Sequence, residues 1–542
     1  MTTNIQPSDD NENDCNLARE CAILYIKIEI FKSYGLRSEI LDFFYDLWRT
    51  EISDDLFSRA LQVQRRAFND ENIHEKCRKT LRSREREASR LADQIARLPA
   101  GHSRAWKRSK DDYVISHHRY QLPVGQGGFH VGTLKTLGAD EAAWRSSLTS
   151  DAIPSADFLY VYDCGSDPKA GVVGAVRSIV KRRPSRKLDM LFVSHFDRDH
   201  ICGIPHLLDR RNGLRVDTIV MPYLDEVDRV IGFARTADTA SDGATEQFHQ
   251  DLVVDPTATM SRFSPRQIVT VMPSNEDGDA DYFELPPTDP PRSPTGRDYW
   301  KAIDSTASYN RRAPDGSTVT QRLDLDILAG TDFGGWRMST YVKRAALSDR
   351  EAFCAAVEVL LRWPRGSFRE KVRSKRHRRL MVTDHRTAVS RAYAWAFGDK
   401  NETSLSLFSG PAAPDQAGAV YWNMPYYPSA RIGWIGTGDA GLRDRSAVTD
   451  FQNFYQDDLD WVSTFVLPHH GSAHNYDHSN PVLDAEIWVA AAQPTRSTWK
   501  HPAPEIVKAV KASGAKFKKV GSQPKSLFEE RMVVFWPSES ST

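Results

Sequence analysis

The chain has 542 residues, 40% of them hydrophobic, and its 72 basic side chains are balanced by 72 acidic ones, so the formal net charge is zero. That length excludes a small stapled scaffold and leaves room for two or three folded units with a large core, while a balanced charge says nothing about partners, so any electrostatic signal must be local. Six scattered cysteines without CxxC spacing exclude a disulfide framework and a thiolate zinc site, and read as reduced thiols. The first residues are polar and acidic, unlike a signal peptide, and no apolar run approaches the length of a membrane helix, so a soluble, cytoplasmic protein without membrane contact is expected.

From 16 to 95 the pattern is helical, with apolar residues at three- and four-residue spacing through Leu17, Cys21, Leu24, Ile28 and Phe31, and Gly35 placed as a stop. A charged run at 75–95 reads as a solvated or coiled-coil-like helix face, since acids interrupt its basic residues. The expectation is a helical N-terminal domain over 1–115, able to recruit a protein partner, and a second domain over 116–542. Between 120 and 137 Gly125, Gly127, Gly128 and Gly132 break any helix and suit a bent strand pair; neither a P-loop nor a dinucleotide fingerprint fits them. A strand at 158–162 ending in Asp163-Cys164-Gly165, a helix at 169–181 and a strand at 188–193 make a βαβ unit.

Further strands and helices follow at 201–208 and 216–221, and the pattern then weakens. Residues 235–400 read as a long insertion, with loops or irregular chain expected to about 320, a Pro-rich stretch at 284–294, and structure returning at 334–341 and in a helix at 349–361. Residues 362–379 are the most basic stretch. A charge run is usually a solvated face, yet one-signed density with Trp363 and Phe368 interleaved is also what a phosphate-backbone contact would use. Strands at 404–408, 431–435, 462–467 and 487–490 each end in a polar turn, and a helix at 504–512 and a strand at 531–536 close the unit.

The chemistry gathers at 188–208, LDMLFVSHFDRDHICGIPHLL, where an apolar strand is followed at once by His195, Asp197, Asp199 and His200. Four potential ligands in six residues cost folding energy unless a cation sits among them. His195 and Asp197 leave the strand end together, and Asp199 and His200 come a turn later and can face a second ion, with Asp439 from a distant strand available to bridge. Aspartates that merely cap a helix are the bland alternative for any one of these residues. Two further strands ending in GTGD and PHHGS argue against it for the set.

SHFDRDH resembles the metallo-β-lactamase-fold signature His-x-His-x-Asp-His, and the order of the other pieces is similar to the soluble hydrolase domain of ComEC-type DNA-uptake proteins. The chain carries a VGQG strand motif at 124–127, DCG at 163–165, the signature at 195–200, NxxSL at 401–405, TGD at 437–439, PHHGS at 468–472 and HP at 501–502. The resemblance implies an α/β fold, an αββα sandwich with a metal centre at the edge of two sheets. It implies two divalent ions, zinc or manganese: His195 and Asp197 on one, Asp199 and His200 on the other, Asp439 between them. The last ligand would be His501 or one of His469 and His470, the remaining member acting as general acid. Asp197 stands where the family has histidine, which leans the site toward harder metals such as manganese, iron or magnesium. A further family histidine is missing; His206, His249, His377 and His385 are candidates by position alone, and a weakly held first site is expected.

These readings point to a metal-dependent hydrolase, a phosphodiesterase or nuclease acting on nucleic acid or another phosphodiester, with bacterial defence as a setting. Hydrolysis of a small molecule, a cyclic nucleotide or an acyl ester, is the alternative on the same centre, and a scaffold protein with a structural metal site is the third.

Overall fold

The computed structural model describes most of residues 113–536, apart from 138–156, 274–299, 422–430, 494–500 and shorter segments, and Tyr113–Trp536 form one compact unit. The helical domain expected over 1–115 lies outside the described residues except for its last three positions, which open the first strand.

The first half runs β1 (Tyr113–Gln121), β2 (His130–Leu137), β3 (Phe158–Tyr162), α1 (Ala170–Arg182), β4 (Lys187–Phe192), α2 (Arg198–Ile201), α3 (Ile204–Leu207), β5 (Arg215–Pro222), α4 (Glu226–Thr236), α5 (Gly243–Val254), α6 (Pro256–Ser261) and β6 (Gln267–Val271). Short strands β7 (Trp300–Ala302), β8 (Ser308–Arg312), β9 (Thr318–Arg322) and β10 (Leu325–Ala329) lead to β11 (Trp336–Lys343) and four helices, α7 (Leu347–Leu361), α8 (Ser367–Val372), α9 (Lys375–Val382) and α10 (Arg386–Ala396). The second half comprises β12 (Ser404–Pro411), β13 (Gly418–Tyr421), β14 (Gly433–Gly436), α11 (Arg445–Phe454), β15 (Val462–Val466), β16 (Ile487–Ala491), α12 (Pro504–Ala512), β17 (Lys516–Val520) and β18 (Phe528–Trp536).

Two mixed sheets result, one ordered β13-β18-β1-β2-β3-β4-β5-β6-β9-β8 and the other β17-β16-β15-β14-β12-β11-β10-β7. Side-chain alternation shows why they stack. In β3, Phe158, Tyr160 and Tyr162 join Leu405, Leu407 and Trp434 of the other sheet in a shared core. The intervening Leu159 and Val161 instead meet Val172 and Val176 of α1. In the second sheet Phe465 and Trp488 face outward onto Phe451 of α11 and Ile506 of α12. The layers are therefore helix, sheet, sheet, helix. Each large apolar side chain so covered contributes about 1.5–3 kcal/mol relative to exposure. One polar clasp also crosses the sheets: buried Arg119 on β1 donates to Glu530 of β18 at 2.6 Å, to the Ile432 carbonyl at 2.9 Å and to Ser463 Oγ at 2.9 Å.

The expectation of irregular chain from 235 to about 320 is corrected. Among the described residues α5, α6, β6, β8 and β9 fall there, and β6, β9 and β8 extend the first sheet. Helix α5 escaped notice because its buried face carries polar side chains, Thr245, His249 and Asp251, the first and last of which meet tertiary partners, Lys169 at 2.7 Å and Arg379 at 2.6 Å. The Pro-rich stretch 284–294 lies outside the described residues.

The basic stretch 362–379 is also recast. Phe368 is a core residue of the bundle formed by α4 and α7 to α10. Arg378 is buried and donates to the carbonyls of Val254, Val372 and Arg373. Lys375 and Arg379 pair with Asp255 and Asp251. Arg378 and Arg379 are thus used within the fold, while Arg362, Arg365, Arg369, Arg373, Lys375 and Arg376 remain exposed. Among the described residues no helix is long and apolar enough to cross a membrane.

Candidate metal centre

Strands β3, β4 and β5 run parallel, as do β14, β15 and β16, and the carboxyl ends of both sets open on one edge of the sandwich. Such edges are where open α/β sheets hold ligands. Asp163, Ser194 and His195, Asp439, and His469 with His470 follow immediately after β3, β4, β14 and β15. Asp163, His469 and His470 are held at φ 59°, 46° and 59°, left-handed conformations that non-glycine residues rarely keep without a local reason. The 124–127 motif, expected as a strand, forms the loop between β1 and β2. At Gly127, φ is +143° and a Cβ would strike the Asp199 carbonyl, while the Gly128 N–H donates to that carbonyl at 3.1 Å. Gly438, at φ +53°, brings the chain against Ser194 and Ser404 so that Asp439 can reach the centre.

Each histidine is aimed by its second ring nitrogen. His200 Nδ1 lies 2.8 Å from Asp163 Oδ2. Ser194 Oγ donates to the same carboxylate at 2.6 Å, which leaves its lone pair to accept from His195 Nδ1 at 2.8 Å. His470 Nδ1 donates to the Ala491 carbonyl at 2.8 Å. All three Nε2 atoms therefore face the interior as potential ligand nitrogens, the arrangement that fixes tautomer and ring orientation in metal sites.

The donors meet in two overlapping groups, His195 with His200 and Asp439, and Asp199 with His200 and His470. His200 Nε2 is 3.2 Å from Asp439 Oδ1, His195 Nε2 is 3.4 Å from Asp439 Oδ2, and His470 Nε2 is 3.1 Å from Asp199 Oδ2. Asp439 is fully buried, and Asp199 retains 18% side-chain exposure. Burial works against charge on Asp439, but the imidazoles of His469, His195 and His200 outweigh it and hold the carboxyl well below its usual range. For His200 burial lowers the pKa, and the carboxylates of Asp439, Asp163 and Asp199 together raise it well above normal. The Nε2 atoms of His195 and His200 are buried with no hydrogen-bond partner among the described residues. Nitrogen and oxygen donors in this mixture suit zinc or manganese.

Arg235, in the last turn of α4, enters the same centre. Its guanidinium pairs with Asp197, lies 3.1 Å from Asp439 Oδ2 and donates to His469 Nε2 at 3.1 Å. His469 Nδ1 in turn faces Asn475 Oδ1 at 2.7 Å, and the Asn475 amide donates to the Asp439 carbonyl at 3.1 Å. Burial, with Arg235 beside it, takes the His469 pKa down to about 3, so its ring is neutral with Nε2 already accepting a proton donor. His501 lies next to it, ring centroids 5.3 Å apart, and burial lowers its pKa to about 4.

Of the residues singled out in the sequence, His195, Asp199, His200, Asp439 and His470 converge as donors. Asp197 is present but engaged by Arg235, and neither donor group contains it. His469 and His501 border the centre without joining a donor group. The four histidines considered for the missing position lie elsewhere: His206 is exposed, His249 is buried against Phe233, and His377 and His385 meet Trp363. Sequence reading missed the orienting roles of Asp163, Ser194 and Asn475, and it missed Arg235 altogether. The DCG turn contains the first of these, whereas nothing local marks one arginine at the end of an amphipathic helix. No protein-family model matches the chain, and no curated protein matches it.

Proposed function

We propose that the protein is a metal-dependent phosphodiesterase of the metallo-β-lactamase fold, with nucleic acid as its substrate. The helix-sheet-sheet-helix layering and the order of the VGQG, DCG, signature, TGD and PHHGS segments support the fold assignment. One observation carries the functional reading: three imidazole Nε2 atoms, each oriented from behind, converge with Asp199 and Asp439 at the carboxyl edge of two parallel strand sets. Asp199, His200, His470 and Asp439 would hold a divalent ion. Such an ion supplies a lowered water pKa and positive charge for phosphoryl oxygens.

The chain's own groups do the rest. Asp199, partly exposed and ionised, accepts a proton from water at the open side of the centre. Asp163 and Ser194 keep His200 and His195 from rotating, so the donors need no reorganisation. His501, neutral at pH 7, beside His469 and not fixed to the guanidinium as His469 is, would be the imidazole free to contact a leaving oxygen.

The full-length protein, loaded with manganese or zinc, is expected to cleave DNA, RNA or a chromogenic phosphodiester. Asp199→Ala and Asp439→Ala should each lower turnover at least about 100-fold. Unchanged turnover in both variants would refute the assigned centre. A second reading, hydrolysis of a cyclic nucleotide, is favoured by the internal use of Arg378 and Arg379, and it predicts turnover insensitive to salt, where a nucleic-acid substrate predicts a steep loss.

A further inference from the structure

We propose that Arg235 takes the place of one of the two metal ions: the centre binds a single divalent cation, and the guanidinium supplies its second positive charge. This inference rests on reading the centre as metal-binding and goes beyond it by assigning stoichiometry and the second electrophile.

The geometry carries it first. The position flanked by Asp197, His195 and the Oδ2 side of Asp439 is where the signature residues would hold a first ion, and the Arg235 guanidinium lies there, on Asp197, on Asp439 Oδ2 and against His469 Nε2. The opposite oxygen, Asp439 Oδ1, remains directed to His200 and His470, at 3.2 and 3.9 Å, on the side of Asp199. The two faces of one carboxylate thus meet two different kinds of cation site.

Charge balance agrees. Asp197, Asp199 and Asp439 face the centre with three negative charges, and Arg235 answers one. Two remain on the donors that face the ion, with the Asp163 carboxylate held behind His200. A second dication would have to sit at contact distance from the guanidinium, a like-charge repulsion that burial strengthens.

Arg235 is also held in place from outside the centre. Helix α4 starts at Asp225, whose carboxylate accepts from the Val227 and Asp228 N–H groups at 2.9 Å. Arg350 of α7 grips both Asp225 and Asp228. Past the other end of the helix, Arg386 of α10 donates to the Ala237 carbonyl and lies over Phe233, 5.8 Å from its ring centroid. The helical insertion thereby fixes α4 at both ends, and its contribution to the centre is the placement of this one side chain. A guanidinium also suits that place chemically, since its fixed positive charge and planar N–H groups favour phosphoryl oxygens.

Metal counting decides the matter without reference to turnover. Full-length protein equilibrated with excess manganese and desalted should retain one ion per chain and give the six-line paramagnetic resonance spectrum of an isolated Mn²⁺. Arg235→Lys, which keeps the charge, should also bind one. Arg235→Ala should bind a second, weaker ion through His195, Asp197 and Asp439, with spin coupling between the two. Two ions in the unaltered protein, or a single ion in Arg235→Ala with circular dichroism unchanged, overturns the proposal. If Arg235→Ala does not fold, the spectrum of the unaltered protein still decides. A protein that binds one ion yet cleaves no phosphodiester would remove the assigned reaction and leave this assignment standing.

Discussion

Asp163 touches no donor group's interior, yet it sets two of the three imidazoles, His200 directly and His195 through the Ser194 hydroxyl. Loss of such an orienting carboxylate usually costs about 10- to 100-fold in metal affinity. Asp163→Ala should therefore weaken manganese binding by about that factor in a calorimetric titration while the fold persists; unchanged affinity would mean that Ser194 and the backbone suffice. At this scale the sequence was most legible. His195, Asp199, His200, Asp439 and His470 could be named because each follows a strand end in a short, unusual string of ligand types. Arg235 could not, because its role depends on where a helix of ordinary composition ends in space.

The strands and helices of the two sheet halves were readable wherever apolar residues alternate or recur on one face, as in β3, β4 and α12. They were not readable where burial is bought with polar partners, as in α5, or where strands are as short as β7. The Arg119 clasp joins the same class, a charged residue inside a strand that reads as surface until Glu530 and the second sheet close over it. Removing one member of a buried pair leaves the other uncompensated and costs about 3–5 kcal/mol. Arg119→Ala should lower the urea midpoint accordingly, and Arg119→Met combined with Glu530→Leu should recover most of the loss. Equal losses in the single and double variants would assign the effect to packing and not to the orphaned carboxylate.

Across the whole molecule, buried neutral histidines set the acid limit. Burial, reinforced by Arg119, holds His117 well below 6.5, and burial takes His249 down to about 3. The unfolded chain gains these protons as pH falls through 6.5 and the folded chain does not, so the unfolded state binds more protons and stability declines from about pH 6.5 toward 3. Denaturant midpoints measured between pH 7 and 4 should fall steadily, and His249→Leu should flatten the slope; an unchanged slope would place the acid sensitivity elsewhere. Strand β18 pairs with β1 along its entire length, from Tyr113 opposite Trp536 to Gln121 opposite Phe528. During synthesis β1 must wait for roughly 400 further residues, about 20 to 80 s at ribosomal rates, with one edge unpaired. Within that interval, a nascent chain that has passed His200 but not yet Asp439 and His470 lacks a member of each candidate donor group, so neither group can be complete until most of the chain has been made.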